Sequence, residues 1–91
     1  METILLINND EEFLEHIRPD LMNAGYHVET LRDAEEAEDY ATRNPPQLII
    51  LDALLQKTNG FELCRAFKKN PVLNTIPLVM TSAIYISEED F

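Results

Sequence analysis

The sequence predicts an open, doubly wound α/β domain: a parallel sheet with helices packed on both faces. Three observations predict it. Residues 4 to 7 (ILLI), 48 to 51 (LIIL) and 78 to 80 (LVM) are continuously apolar, which is how strands covered on both faces read. The segments between them carry apolar residues at helical spacing, and every connection is short. Alternating strands and helices with short links imply right-handed crossovers in one sheet.

Each element has its own local reason. The first strand runs into Asn8, Asn9 and Asp10. A helix over 11 to 23 follows, with Phe13, Ile17 and Leu21 every fourth residue, and Asn9 with Glu12 reads as the capping pair at its start. Pro19 lies off that apolar stripe, so it removes one backbone bond without exposing the inner face. Gly25 ends the helix. Residues 27 to 31, HVETL, alternate and read as an edge strand with one wet face. The next helix, 34 to 42, presents Ala34, Ala37, Tyr40 and Ala41 and is stopped by NPP at 44 to 46. A third helix, 60 to 69, turns Leu63, Cys64 and Phe67 inward. The expected strand order is 2-1-3-4, with the helix at 11 to 23 on one face and the other two opposite.

Composition narrows the function. Ninety-one residues, 45% hydrophobic, suit one domain that buries roughly 60 to 65% of its unfolded surface. No run approaches the ~20 apolar residues of a membrane span, and METILLINN lacks the basic region and cleavage site of a signal peptide. A cytoplasmic location away from membranes is the expectation. A formal charge of −10 argues against nucleic-acid binding by this chain, and Arg65, Lys68 and Lys69 read as a solvated face. The single cysteine, Cys64, rules out an internal disulfide and reads as a small buried hydrophobe. His16 and His27 have no ligand-spaced partner.

One residue breaks the pattern of burial. Asp52 ends the stretch LIILD, and in open α/β sheets the functional crevice lies outside the carboxyl ends of the strands. Asn8, Asn9 and Asp10 end the first strand, while Thr81 and Ser82 end the fourth, so three polar clusters converge on one edge. The next helix starts too far along for Asp52 to cap it.

These residues carry a resemblance. ILLINND, AGYHV, PPQLIILD, the glycine in NGFELCRAFKK and IPLVMTSA resemble, in motif and spacing across essentially the whole chain, the receiver domain of two-component response regulators. The resemblance implies a flavodoxin-like fold and a signalling module, not an enzyme in its own right. It implies a phosphoacceptor at Asp52, loaded by a histidine kinase or phosphotransfer protein, a switch hydroxyl at Ser82, and a downstream output domain. It also implies Mg²⁺, which offsets charge as a carboxylate attacks phosphorus, bound near Asn8, Asn9, Asp52 and the Leu54 backbone carbonyl.

The sequence departs from the family in three ways. Asn8 and Asn9 stand where the family has carboxylates, so Mg²⁺ is expected to bind weakly or not at all; an ordinary N-cap accounts for Asn9 as well as a metal role does. Gln56 replaces the loop's usual proline. The family's fifth strand, with its phosphate-contacting lysine, and the last helices are not among the 91 residues, so the expectation is a partial receiver over 1 to 91 that self-associates in isolation. The alternative reading is a phosphorylation-independent pseudo-receiver acting as a protein-interaction domain. A small-ligand binder of the same topology would need a phosphate-cradling glycine loop, and the chain has two glycines.

Overall fold

A computed structural model describes residues 2 to 53 and 59 to 81. The elements are β1 (Thr3–Ile7), α1 (Glu11–Asn23), β2 (His27–Leu31), α2 (Ala34–Arg43), β3 (Leu48–Asp52), α3 (Gly60–Lys69) and β4 (Leu78–Thr81). The strands form one sheet in the order β2-β1-β3-β4, and each neighbouring pair is parallel. This is the predicted topology, with α2 one residue longer than its spacing suggested.

Side-chain alternation divides the sheet between two cores. Leu5 and Ile7 of β1, with Ile49 and Leu51 of β3, pack against Ala37 and Ala41 of α2 and Leu63 and Phe67 of α3. Ile4 and Leu6, one step out of phase, pack with Val28 of β2 against Leu14, Phe13, Ile17 and Leu21 of α1. Both faces of β1 are therefore covered, which is why its residues 4 to 7 show no polar alternation. Cys64 is partly buried beside the α2/α3 core. Asn70, the C-cap of α3, donates from Nδ2 to Glu38 Oε2 (2.9 Å) and Thr42 Oγ1 (3.0 Å), tying the two helices of that face together.

The structure corrects one local reading. Asn9 does not cap α1: Asp10 does, its Oδ1 accepting from Glu12 N (3.0 Å) and Phe13 N (3.3 Å). Both residues are good cap formers, and the later one lies within reach of the first free N–H groups once the strand has ended at Ile7. β4 shows the exposure expected of an apolar strand that lies at the edge of four. Val79 is 49% exposed and Leu78 and Met80 are only partly buried. β4 is an edge of the four strands described, so only one long side of it is paired. At the far edge, β2 is half-wet as its alternation predicts: Val28 is buried, His27 exposed, and Glu29 to Leu31 partly covered. Pro19 is exposed and α1 runs through it. Gly25, just past the end of α1, has φ 98°, the left-handed region where a side chain is strained.

On the wet edge, His27 Nε2 lies 2.6 Å from Glu29 Oε1. Partial burial, then the charge of Glu29 and a hydrogen bond to it, hold the Tyr40 phenol above its ordinary 10.0. The folded state thus favours the neutral phenol, a contribution complete below the ordinary value and lost as pH rises through the folded one. Glu29→Gln is expected to lower the Tyr40 midpoint in an alkaline titration followed by ultraviolet absorbance or NMR. Phe67, 1% exposed at the centre of the α2/α3 core, is expected to cost about 3–5 kcal/mol on replacement by alanine, measured by denaturant unfolding.

Candidate functional site

The carboxyl ends of β1, β2 and β3 finish at one level. Ile7 pairs with Leu31 on one side and Leu51 on the other, and the ladder continues one step further as Asn8 N donates to Leu31 O at 2.9 Å. Asp52 pairs with Thr81 of β4, and Ala53 N donates to Thr81 O at 2.7 Å. Asn8 and Asp52 therefore end adjacent strands side by side. Both are buried, at 5% and 6% exposure, and they are the two buried polar residues among those described. Alternation puts them on the α1 face, continuing Ile4 and Leu6 in β1 and Leu48 and Ile50 in β3.

The turn after β1 is built by side chains. Asn8 Oδ1 accepts from Asp10 N at 2.7 Å, and Asp10 Oδ1 is committed to the first turn of α1. Two oxygens that could face a cation are thus directed at backbone N–H groups. Asn9, between them, is half-buried.

Gly60 fixes the other wall. A Cβ there would lie 2.4 Å from the Asp52 carbonyl oxygen and 2.7 Å from Ala53 Cα, and Gly60 N donates to Ala53 O at 3.1 Å. The start of α3, capped by Asn59 Oδ1 accepting from Phe61 N at 2.8 Å, is strapped directly onto the backbone that carries Asp52. The sequence shows a glycine at a helix start. That its hydrogen atom is what lets α3 touch β3 is a three-dimensional fact with no local sequence signal. A second feature missed by sequence is the ion pair between the Arg32 guanidinium and Glu11 Oε1, which bridges the end of β2 to the first turn of α1.

Of the site residues expected from sequence, the structure brings together Asp52 and Asn8, with Asn9 on the adjoining turn. Ser82 and Leu54, like Gln56, lie outside the described residues. Mg²⁺ prefers carboxylate oxygens in octahedral geometry; of the residues at this edge Asp52 supplies a carboxylate, Asn8 and Asn9 bring no charge, and Oδ1 of Asp10 is committed to the helix cap. Among the described residues no group of three or more histidine, cysteine, aspartate or glutamate side chains could hold a metal ion.

A parallel sheet in the order 2-1-3-4 with a buried aspartate at the end of its third strand defines a receiver-type signalling fold. The family assignment follows directly: residues 4–90 match the response regulator receiver domain, and the chain belongs to that family. It is 32% identical over 88 residues to the alkaline phosphatase synthesis transcriptional regulatory protein PhoP of Bacillus subtilis (strain 168), covering 97% of this chain and 35% of that protein. The phosphorylated cyanobacterial phytochrome response regulator RcpA superposes with a TM-score of 0.83 at 33% identity, covering 98% of this chain and 69% of that one. The Mn²⁺-bound form of the response regulator Rcp1 superposes with a TM-score of 0.83 at 26% identity, covering 99% and 70%. The chain thus spans about a third of its curated relative's length. It is a receiver module of two-component phosphorelay signalling.

The contact at Gly60 yields a direct test. Gly60→Ala must push α3 off β3, since the atoms it meets are backbone; overpacking of this kind costs about 1–3 kcal/mol. Denaturant unfolding is expected to show that loss, and backbone amide resonances of Asp52 and Ala53 are expected to shift, whereas Gly25→Ala leaves both resonances in place.

Proposed function

We propose that Asp52 is the phosphoacceptor of this receiver and that its pocket binds divalent metal weakly. The observation that carries the first part is the burial of a carboxylate at the end of a two-faced apolar strand, beside the α1 turn. The carboxyl edge of an open parallel sheet is where such folds place their functional crevice, and Asp52 is the carboxylate buried there. A phosphorylated relative, RcpA, shares the fold and a third of the residues. The second part rests on Asn8, Asn9 and Asp10. Each carboxylate replaced by an amide removes a charge whose attraction for a cation at close range is on the order of a few kcal/mol at an effective dielectric near 20.

The kind of reaction follows from the same residues. The nucleophile is a carboxylate oxygen of Asp52, the donor a phosphohistidine on a kinase or phosphotransfer protein, and the product an acyl phosphate; the chain receives a phosphoryl group and turns over no separate substrate, so we assign it no enzymatic activity of its own. Cytoplasmic work suits this chemistry, and no helix among the described residues is long and apolar enough to cross a membrane. The longer relatives point to an output domain in the complete protein, with Ser82 as the hydroxyl that responds to the phosphoryl group.

We also propose that the 91 residues self-associate in solution. Val79 is exposed on β4, and a mainly apolar groove of about 370 Å³ is lined by Ile4, Leu21, Tyr26, Leu48 and Pro77, with Glu2 and Gln47. Exposed apolar surface of this kind favours association. Sedimentation of the isolated chain is expected to show species larger than a monomer at high concentration, and a clean monomer there would contradict the reading.

Mg²⁺ titration followed by NMR tests the pocket. The unmodified chain is expected to bind with a dissociation constant above the millimolar range, and Asn9→Asp to tighten it at least tenfold. Transfer from a phosphohistidine donor is expected to be lost in Asp52→Ala. Tight Mg²⁺ binding by the unmodified chain, or undiminished labelling of Asp52→Ala, would overturn the proposal.

A further inference from the structure

The pocket has lost carboxylates, yet the phosphoryl group it takes up brings more negative charge than the carboxylate it modifies. A cation is needed at the same edge, and the sheet places one there. Ile7 is level with Leu31 and Leu51, and Asn8 N continues that ladder to Leu31 O. One residue further along, Arg32, Asn8 and Asp52 fall on a single rung. Strands lie about 4.8 Å apart, so the backbones of Arg32 and Asp52 are about 10 Å apart with Asn8 between them.

All three side chains belong to the α1 face. Asn8 and Asp52 do so by alternation with the residues that pack on α1. Arg32 does so because, with Thr30, it lines a cavity of about 290 Å³ beside α1 whose other walls are Glu11, Leu14, Glu15, Arg18 and Pro19. The guanidinium is held there by Glu11 at the first turn of α1, and this pair is exposed, at 66% and 52% for the two side chains. An exposed pair of this kind contributes little to stability, so exchanging Glu11 for a stronger anion is easy. A phosphoryl group on Asp52 is such an anion. It carries about −1.5 to −2 at neutral pH and presents oxygens that match the guanidinium fork.

We propose that Arg32 is a positioning cation for the phosphorylated state: it leaves Glu11 and turns along the α1 face to the phosphoryl group on Asp52, supplying part of the charge compensation that Asn8 and Asn9 no longer recruit through metal. This rests on Asp52 being the phosphoacceptor. Arg32 is distinguished from Arg18, which lines the same cavity, by its place on the Asp52 rung. Glu11 sets the resting position, so the pair works as a latch between β2 and α1 that opens when position 52 becomes more negative.

The test installs the charge without relying on a kinase. In a Cys64→Ser background, Asp52→Cys is alkylated with a phosphonomethyl reagent to place a stable dianion at position 52, with the unalkylated thiol as control and EDTA throughout. The Arg32 Nε–Hε resonance, assigned by its loss in Arg32→Ala, is expected to move downfield by at least 0.3 ppm on alkylation and to exchange with solvent severalfold more slowly. Arg32→Lys is expected to keep part of the stabilisation of the alkylated form that Arg32→Ala loses, read as melting temperature relative to each variant's thiol form. Glu11→Gln is expected to leave the alkylated resonance in place while moving the thiol-form resonance upfield, away from it, so that the shift on alkylation grows. If the amides around Asn8 and position 52 shift on alkylation while the Arg32 resonance does not, the latch is wrong and the phosphoacceptor assignment stands. If alkylation shifts neither, or unfolds every variant, the pocket does not accept a phosphoryl-sized dianion and both ideas fall.

Discussion

Parallel backbone pairing at the last rung of β1, β2 and β3 is the constraint on which the rest of this molecule depends. Because Ile7 is level with Leu31 and Leu51, the next residues of all three strands emerge together at one edge, just where the apolar core stops. A slip of one residue in β3 would turn Asp52 to the opposite face, against α2 and α3, and bring Leu51 to the α1 side. The register is held by the two cores, which take alternate residues of β1 and β3 on opposite faces. Hydrophobic packing far from the site therefore fixes which side of the sheet the carboxylate serves.

The contacts at the edge reinforce this arrangement from three directions. Asn8 shapes the turn into α1 through Asp10 N, Gly60 lets α3 sit on the Asp52 carbonyl, and Ala53 N extends the ladder to β4. None of these is a large stabilising term by itself, since a single hydrogen bond contributes about 0.5–1.5 kcal/mol net. Their effect is geometric: they leave the Asp52 backbone no alternative position. On the proposed assignment of Asp52 as phosphoacceptor, a carboxylate held this way needs little reorganisation when a phosphoryl donor arrives.

Much of this was legible in the sequence, for identifiable reasons. Two-faced burial erases polar alternation, so the apolar runs at 4 to 7 and 48 to 51 announced central parallel strands, and Asp52 was conspicuous because it interrupted one. The helices were legible from spacing alone, as Leu63 and Phe67 show. What was not legible depended on which of several equivalent groups reaches a target first. Asn8, Asn9 and Asp10 are all good cap and turn formers, and which of them meets the first free N–H groups of α1 is settled by where β1 ends, making Asp10 the cap and Asn8 the turn acceptor. Val79 shows what an apolar run reports: what a strand could be covered by, while its exposure, expected for an edge strand, depends on which neighbours are present. The Arg32–Glu11 pair joins residues from separate elements, so no local pattern could announce it.

The central claim is that the carboxylate at the end of β3 is the group that receives phosphorus. Borohydride reduction of the chain after incubation with a phosphohistidine donor converts an acyl phosphate to an alcohol at the modified residue, and peptide mass mapping then locates it. The account predicts conversion at Asp52 and at no other carboxylate. Conversion at Asp10 or Glu11, with Asp52 unmodified, would contradict it.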